Sequence, residues 1–299
     1  MPTFSEMVDE VRSNLQGYTL RQDRITYLAN SITSSDTAIK VGSSSNLAKG
    51  IIEIDDELIW IDNFDKTSTT MNAIPGGYGR GYQGSTAASH AQNALVYLAP
   101  TFPRKMIKQA INDTLASLYP KLWGTNKTTF TFNAAQNTYS IPSEAESLLY
   151  ISWQTTGPSK EWINVKRWRE DHMANVTEFP TGHTVTLYDS IQPGRTVQVY
   201  YTVAPQQLAN NNDDFVTVTG LPLSAYDVII YGACYRLLSF IDAGRINLSS
   251  AEADAMDSKI PSTAGTSASR YIFALYQQRL QEESIKLTDS YPTRVHYIR

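Results

Sequence analysis

The sequence predicts an α+β fold in which a helical bundle carries a small N-terminal β module and an inserted antiparallel β domain. Two observations lead to this prediction. Apolar residues recur at helical spacing in several segments, and they alternate at strand spacing in the stretches between these segments. The chain has 299 residues, of which 41% are hydrophobic, so it is long enough for two domains or for one domain with a large insertion.

The N-terminal part is predicted to contain one helix and one β module. Residues 1–17 form the helix, because apolar side chains line one of its faces: Phe4, Met7, Val8, Val11 and Leu15. Residues 18–100 form a small β barrel or sandwich. In this module two apolar runs flank Asp55, Asp56 and Glu57, which predicts a hairpin with an acidic turn.

The remaining chain is predicted to form a bundle that is interrupted by strands. Residues 101–125 and 221–290 form the helical bundle, and Pro103 suits the first turn of a helix that ends near Leu122 or Gly124. Residues 126–220 form the inserted antiparallel β domain, because apolar and polar side chains alternate along them. We expect residues 291–299 to be an extended tail, because proline cannot continue a helix.

Composition excludes several classes of function. The net charge is −4 and the isoelectric point is about 5.6, so the chain lacks the diffuse positive field of most DNA-binding proteins. No apolar run approaches the length of about 18 residues that a membrane helix needs, so we expect no membrane association. The single cysteine excludes an internal disulfide and is typical of assembly in a reducing cytoplasm.

Motifs that would indicate catalysis or nucleotide binding are incomplete. Gly79, Gly81 and Gly84 match G-x-G-x-x-G, but neither a crossover helix nor an acidic residue follows at the distance that a dinucleotide site needs. A tight β loop explains these glycines better. Cys234 lies in an apolar helical segment without a nearby histidine, which favours a buried side chain over a nucleophile.

The sequence also lacks the usual spacing patterns of metal ligands. The acidic run at 55–57 lacks the spacing of an EF-hand loop, and a solvated turn explains it better. The four histidines have no i, i+3 or i+4 pairing and no cysteine partner: His90, His172, His183 and His296. We therefore predict a protein that is not an enzyme and that has no catalytic residue, no cofactor and no metal site.

One short segment combines aromatic and basic residues. Residues 162–169 contain Trp162, Arg167, Trp168 and Arg169, which is a pattern that could stack single-stranded bases. Acidic residues follow directly, and the segment lies in the predicted β domain. Because tryptophan and arginine are enriched at protein interfaces, we favour these four residues as inter-subunit contacts.

Three stretches resemble the head-to-tail adaptor (connector or neck) proteins of long-tailed bacteriophages. Residues 52–61 are a hairpin sequence, IEIDDELIWI, and residues 80–96 contain RGYQGSTAASHAQNALV. This order is similar to a pattern in tailed-phage virion proteins, in which a hairpin precedes a turn and a closing strand. Residues 102–113 then resemble the helix that follows the pattern in connector proteins.

The resemblance implies a function in the neck of the virion after assembly in the host cytoplasm. An adaptor-like helical bundle would form a ring of identical copies, expected to be a dodecamer, which binds the portal protein and the next neck ring or tail terminator. It would join the capsid to the tail and form part of the DNA conduit, through which double-stranded DNA passes without sequence-specific binding. The tail would dock into the portal through Arg294, Val295, His296, Tyr297, Ile298 and Arg299.

Two alternatives remain open at this point. The chain could be another neck or tail component, such as a stopper or a tail terminator. It could also be a carbohydrate-binding baseplate module, for which an exposed aromatic platform and a trimeric state are expected.

Overall fold

The computed structural model describes residues 1–18, 22–75, 78–156, 160–251 and 264–291. For residues 240–251 and 264–267 only the backbone is described. These residues contain five α-helices and thirteen β-strands. The chain divides into two compact units. Unit 1 comprises Met1–Thr3, Thr114–Ile229 and Ala274–Arg299, and unit 2 comprises Phe4–Asp113 and Ile230–Phe273.

Unit 2 is built around a six-stranded antiparallel sheet. Its strands are β1 (Arg24–Tyr27), β2 (Ala38–Lys40), β3 (Gly50–Ile54), β4 (Glu57–Asp65), β5 (Thr70–Ala73) and β6 (Leu95–Leu98). They are hydrogen-bonded in the order β1-β6-β3-β4-β5-β2. A short 3₁₀ helix, Tyr82–Gly84, lies in the long connection between β5 and β6.

This sheet curls until its two outer strands meet. An antiparallel bridge joins Leu28 to Val41, just beyond the ends of β1 and β2. The Ala29 amide donates to the Lys40 carbonyl and the Gly42 amide donates to the Tyr27 carbonyl, each over 2.9 Å. Closure leaves fewer unpaired strand edges. It also turns the inward-facing side chains toward one another, and they share one core, which includes Leu28, Ile39, Ile52, Ile59 and Val96.

Two helices of unit 2 precede and follow the sheet in sequence. Helix α1 (Phe4–Gln16) buries the apolar face that the sequence predicts. Helix α2 (Arg104–Ala116) begins directly after Pro103. The predicted extension of α2 to Leu122 is wrong, since the helix ends four residues before Pro120, which has no amide to donate and disfavours helical geometry in the residue before it.

Unit 1 contains a β sandwich of two antiparallel sheets. Strands β7 (Gly124–Thr131), β9 (Ala145–Gln154), β10 (Trp162–Asn164) and β13 (Thr196–Val203) pair in the order β10-β9-β13-β7. Strands β8 (Thr138–Ser140), β11 (Trp168–Asp171) and β12 (Thr184–Leu187) pair in the order β11-β12-β8. Inward side chains of both sheets form one core, which includes Ile141, Ile151, Trp168, Val185 and Val199.

Three further helices follow the sandwich. The short helix α3 (Phe215–Thr219) is capped by the Asp214 carboxylate, which accepts a hydrogen bond from the Thr217 amide over 2.8 Å. A 3₁₀ turn, Leu223–Ala225, leads into α4 (Tyr226–Ala251), and the last helix is α5 (Ala264–Ser290). No helix among the described residues is long and apolar enough to cross a membrane.

The prediction of a helical bundle with a small N-terminal β module is wrong, although the fold is α+β overall. Among the described residues thirteen strands outnumber five helices, and the N-terminal β region is a curled six-stranded sheet rather than a small module. The physical reason lies in the buried side chains. Each β region encloses an apolar core of its own, so the strands do not depend on a central helical bundle to remove their apolar faces from water.

Replacing Ile59 tests the importance of the core of the curled sheet. Ile59 is fully buried, so Ile59→Ala should lower the free energy of unfolding by about 2–5 kcal/mol in urea titrations followed by circular dichroism. The matched control is Ile25→Ala on the outer face of the same sheet, which should change stability by about 0.5 kcal/mol or less. Equal losses in the two variants would contradict the assignment of the inner face.

Candidate interaction surfaces

A buried carboxylate connects the acidic hairpin turn to the loop that precedes β6. Glu57 receives a two-pronged ion pair from Arg80, with Nε to Oε1 at 2.7 Å and Nη2 to Oε2 at 2.8 Å. The Nε2 atom of His90 lies 2.8 Å from Oε2. The amides of Gly81 and Ala88 donate to the same carboxylate over 3.0 and 3.1 Å. Four groups of one loop therefore converge on a single charge. We call these five residues the Glu57 network.

The hydrogen bonds of this network decide its protonation states. Burial by itself raises the pKa of Glu57, but hydrogen bonds from Arg80, His90, Ala88 and Gly81 outweigh burial and lower the pKa to about 2. Burial by itself lowers the pKa of His90, but hydrogen bonds to Asp55 and Glu57 and their charges raise it to about 9. At neutral pH the imidazolium and the carboxylate are thus both charged.

Arg80 also binds one further segment of the chain, at residues 33–36, and a carbonyl of its own loop. Its Nη1 atom donates to the carbonyls of Thr33 and Asp36 over 2.6 and 2.7 Å, and its Nη2 atom donates to the carbonyl of Ala88 over 2.6 Å. The planar guanidinium can meet a carboxylate and several carbonyls at once, which an ammonium group cannot do with the same geometry. Arg80 is therefore a structural residue of the curled sheet.

Glycines in the loop around Arg80 allow the backbone to pack closely beside Glu57. A Cβ atom at Gly79 would lie 2.3 Å from the Ile74 carbonyl oxygen, so only glycine fits there. Gly81 has φ +64°, a left-handed conformation that favours glycine, and its amide is one of the donors to Glu57. The G-x-G-x-x-G pattern thus has a local structural explanation.

The other carboxylates of the hairpin turn are also paired with cations. Asp55 lies 2.7 Å from Nδ1 of His90, and Asp56 lies 2.8 Å from the Lys108 ammonium and 3.3 Å from Nε of Arg104. The turn differs from the predicted solvated turn because Glu57 is buried in the network. The two ion pairs of Asp56 anchor α2 to the turn.

A second buried carboxylate connects both helices of unit 2 to the sheet. Glu53 on β3 pairs with Arg12 of α1, and its other oxygen accepts a hydrogen bond from the amide of Arg104 over 2.6 Å. The guanidinium of Arg12 also lies over the ring of Tyr97, 4.4 Å from its centroid. The outer face of β3 is consequently covered by helices.

The outer face of β1 and β6 is apolar and exposed. Ile25 lies opposite Tyr97 in the β1–β6 register, and Tyr27 lies opposite Leu95. Ile25, Tyr27 and Leu95 are 52%, 47% and 53% exposed. We call these three residues the β1–β6 patch. It was not predicted from the sequence, although the unbroken apolar run of β6, which places apolar side chains on both faces of that strand, was a signal.

The structure places the four predicted inter-subunit residues of segment 162–169 in different environments. Trp162 lies on β10, an outer strand of its sheet, and is 44% exposed. Arg167 is exposed, with its Nε atom 2.9 Å from Asp189, and Arg169 is exposed on β11. Trp168 is only 8% exposed and packs in the sandwich core. Trp162, Arg167 and Arg169 therefore remain on the surface of unit 1.

The chain approaches its C-terminus beside a groove of unit 1. The ring of Tyr291 packs against Trp123 with 5.5 Å between the ring centroids. Both residues line a groove of about 410 Å³ together with Leu122, Pro222 and Leu287. The proposed docking residues lie outside the described residues: Arg294, Val295, His296, Tyr297, Ile298 and Arg299.

Burial, with a smaller contribution from the charge of Glu10, raises the pKa of the Cys234 thiol to about 12, so little thiolate forms near neutral pH.

Glu170, His172 and His183 lie together on the β11–β12 hairpin, with their potential ligand atoms within 4.8 Å of one another. The helical i, i+3 and i+4 spacings considered in the sequence analysis do not identify this group of residues.

His90 should make the stability of unit 2 dependent on pH. Its raised pKa stabilises the folded state fully below the ordinary value of 6.5, and this contribution is lost as the pH rises through about 9. The free energy of unfolding should fall by about 3 kcal/mol across this range, and His90→Gln should remove the loss. Urea unfolding at pH 6, 8 and 9.5 provides the measurement, with the exposed His172→Gln as control. An unchanged slope in His90→Gln would refute the assignment.

Comparison with known proteins identifies the class of this chain. The SU10 adaptor protein family matches residues 85–291, which is more than half of the chain. The match begins within the 80–96 segment of the Glu57 network and leaves out the hairpin sequence at 52–61. No curated protein matches the chain. The chain therefore belongs to the SU10 adaptor protein family, whose members are phage adaptor proteins with a structural role in the virion.

Proposed function

We propose that this protein is the subunit of a head-to-tail adaptor ring that binds the portal, joins the capsid to the tail and forms part of the DNA conduit. The observation that carries the proposal is the match of residues 85–291 to a phage adaptor family. The partners are other copies in a ring, proposed to be a dodecamer, the portal protein, and the next neck ring or tail terminator. The location is the neck of a virion that assembles in the host cytoplasm.

Two kinds of exposed surface support assembly into a ring. A ring needs heterologous contacts, in which two different patches of neighbouring copies meet. The β1–β6 patch offers exposed apolar side chains, and β10 offers an edge whose outward backbone groups have no strand partner among the described residues. Trp162 and Ile163 on this edge are both exposed, and Arg167 and Arg169 follow close behind. Aromatic and arginine side chains are common at the centres of interfaces.

The charge of the chain supports a conduit rather than a DNA-binding surface. A net charge of −4 gives no general attraction for the phosphate backbone. Many basic groups of unit 2 are also paired internally, among them Arg12, Arg80 and Arg104. DNA would therefore pass through the ring without adhering to it.

The ring proposal predicts a specific assembly. Native mass spectrometry and negative-stain imaging of the purified chain, mixed with the portal of the same phage, should show a closed ring seated on the portal. Leu95→Asp and Trp162→Ala should each raise the protein concentration needed for ring formation by about tenfold or more, because each removes exposed apolar contact area.

The matched control is Met173→Ala, which removes an apolar side chain that is 92% exposed in a loop of unit 1. It should assemble like the wild type, and circular dichroism should show that all three variants are folded. A chain that stays monomeric or trimeric in the presence of the portal would contradict the adaptor proposal, and a trimer that binds carbohydrate would favour a baseplate module.

Deleting residues 292–299 tests the docking tail. This cut retains Tyr291 and its contact with Trp123, so the fold and the stability of unit 1 should be unchanged. Attachment to the portal, measured by co-sedimentation, should be lost. The control is Ser290→Ala in the full chain, which keeps the tail and should bind normally. Full attachment of the shortened chain would refute docking through residues 294–299.

A further inference from the structure

The β11–β12 hairpin brings together three side chains that are separated in sequence. Glu170 and His172 are two residues apart, so they extend from the same face of the extended chain. The strand register pairs Asp171 with Thr184, which makes His172 and His183 the next facing positions. The two imidazole rings are stacked, with 4.1 Å between their centroids.

The distances between the potential ligand atoms are close to those in a metal site. Oε1 of Glu170 lies 2.9 Å from Nε2 of His183 and 3.2 Å from Nε2 of His172. With bonds of about 2.0–2.1 Å, tetrahedral zinc holds its nitrogen and oxygen ligands roughly 3.3 Å apart. Both oxygen–nitrogen separations are therefore within a few tenths of an ångström of those in a tetrahedral site, and all three ligand atoms lie within 4.8 Å of one another.

A neighbouring backbone amide orients the carboxylate. The other oxygen of Glu170 accepts a long hydrogen bond from the amide of Leu148, over 3.4 Å, which leaves Oε1 to face the two histidines.

We propose that Glu170, His172 and His183 bind one divalent transition-metal ion of the zinc class. Two imidazole nitrogens and one carboxylate oxygen suit zinc or cobalt(II), whereas magnesium and calcium prefer oxygen ligands alone. The His183 side chain is buried and the Glu170 side chain is mostly buried, but that of His172 is 53% exposed, so an ion can enter from solvent. Water would take the fourth position. The ion would tie the two ends of the 172–183 connection together.

Cobalt(II) titration of the full chain tests this proposal. The protein, purified without a histidine tag and treated with EDTA, should bind one cobalt ion per chain and develop the visible absorption of tetrahedral cobalt. Zinc should displace the cobalt and raise the melting temperature, because it binds the folded state. Magnesium should do neither.

Variants separate this site from incidental binding elsewhere. His172→Ala changes an exposed side chain, so it should fold normally and weaken cobalt binding at least about tenfold, since even indirect partners of a metal ligand contribute about 10–100-fold. Glu178→Gln removes an exposed carboxylate from the same connection and should bind like the wild type. Absence of saturable binding, or equal binding by His172→Ala and the wild type, would overturn the proposal.

Discussion

The charge of Glu57 is the constraint on which the curled sheet depends. A buried carboxylate is costly unless it is paired and fully hydrogen-bonded, and removal of one partner of a buried ion pair typically costs about 3–5 kcal/mol. Here Arg80, His90 and two backbone amides meet that requirement together. Because all four lie between β5 and β6, the network fixes a long loop against the β3–β4 turn. The closing strand β6 thereby takes its place between β1 and β3.

The Glu57 network gives a structural role to the residues on which the resemblance to phage proteins rests. Arg80, Gly81 and His90 all lie in the 80–96 segment, and each contacts Glu57. The residues of this segment that contact Glu57 therefore maintain the fold, whereas Leu95 near its end belongs to the exposed β1–β6 patch. We propose that partner binding uses the exposed faces at β1–β6 and β10 rather than the Glu57 network. The separation allows surface positions to vary with the partner while the internal ion pairs hold the fold.

The sequence predicted local elements better than their assembly. The α1 face and the β3–β4 hairpin were predictable because neighbouring residues determine them. The bundle prediction failed because helical periodicity shows that a face is buried without showing what covers it. Trp168 illustrates the same limit, since a tryptophan beside arginines is equally typical of a surface and of a core. His172 and His183 were missed because only helical spacings were tested. On a hairpin, ligands occur two apart on one strand and directly opposite on the next.

The proposed metal site and the proposed ring contacts involve different kinds of group. The proposed ring surfaces are apolar side chains and the outer strand β10, whereas Glu170, His172 and His183 form a polar cluster at one end of the β11–β12 hairpin. An ion there would stabilise the folded hairpin by mass action and would add no apolar contact area. Loss of metal binding should therefore leave ring assembly intact unless the hairpin itself lies in the interface. Comparing assembly of the His172→Ala protein with that of Trp162→Ala distinguishes an ion that supports one subunit from an ion that helps to join two.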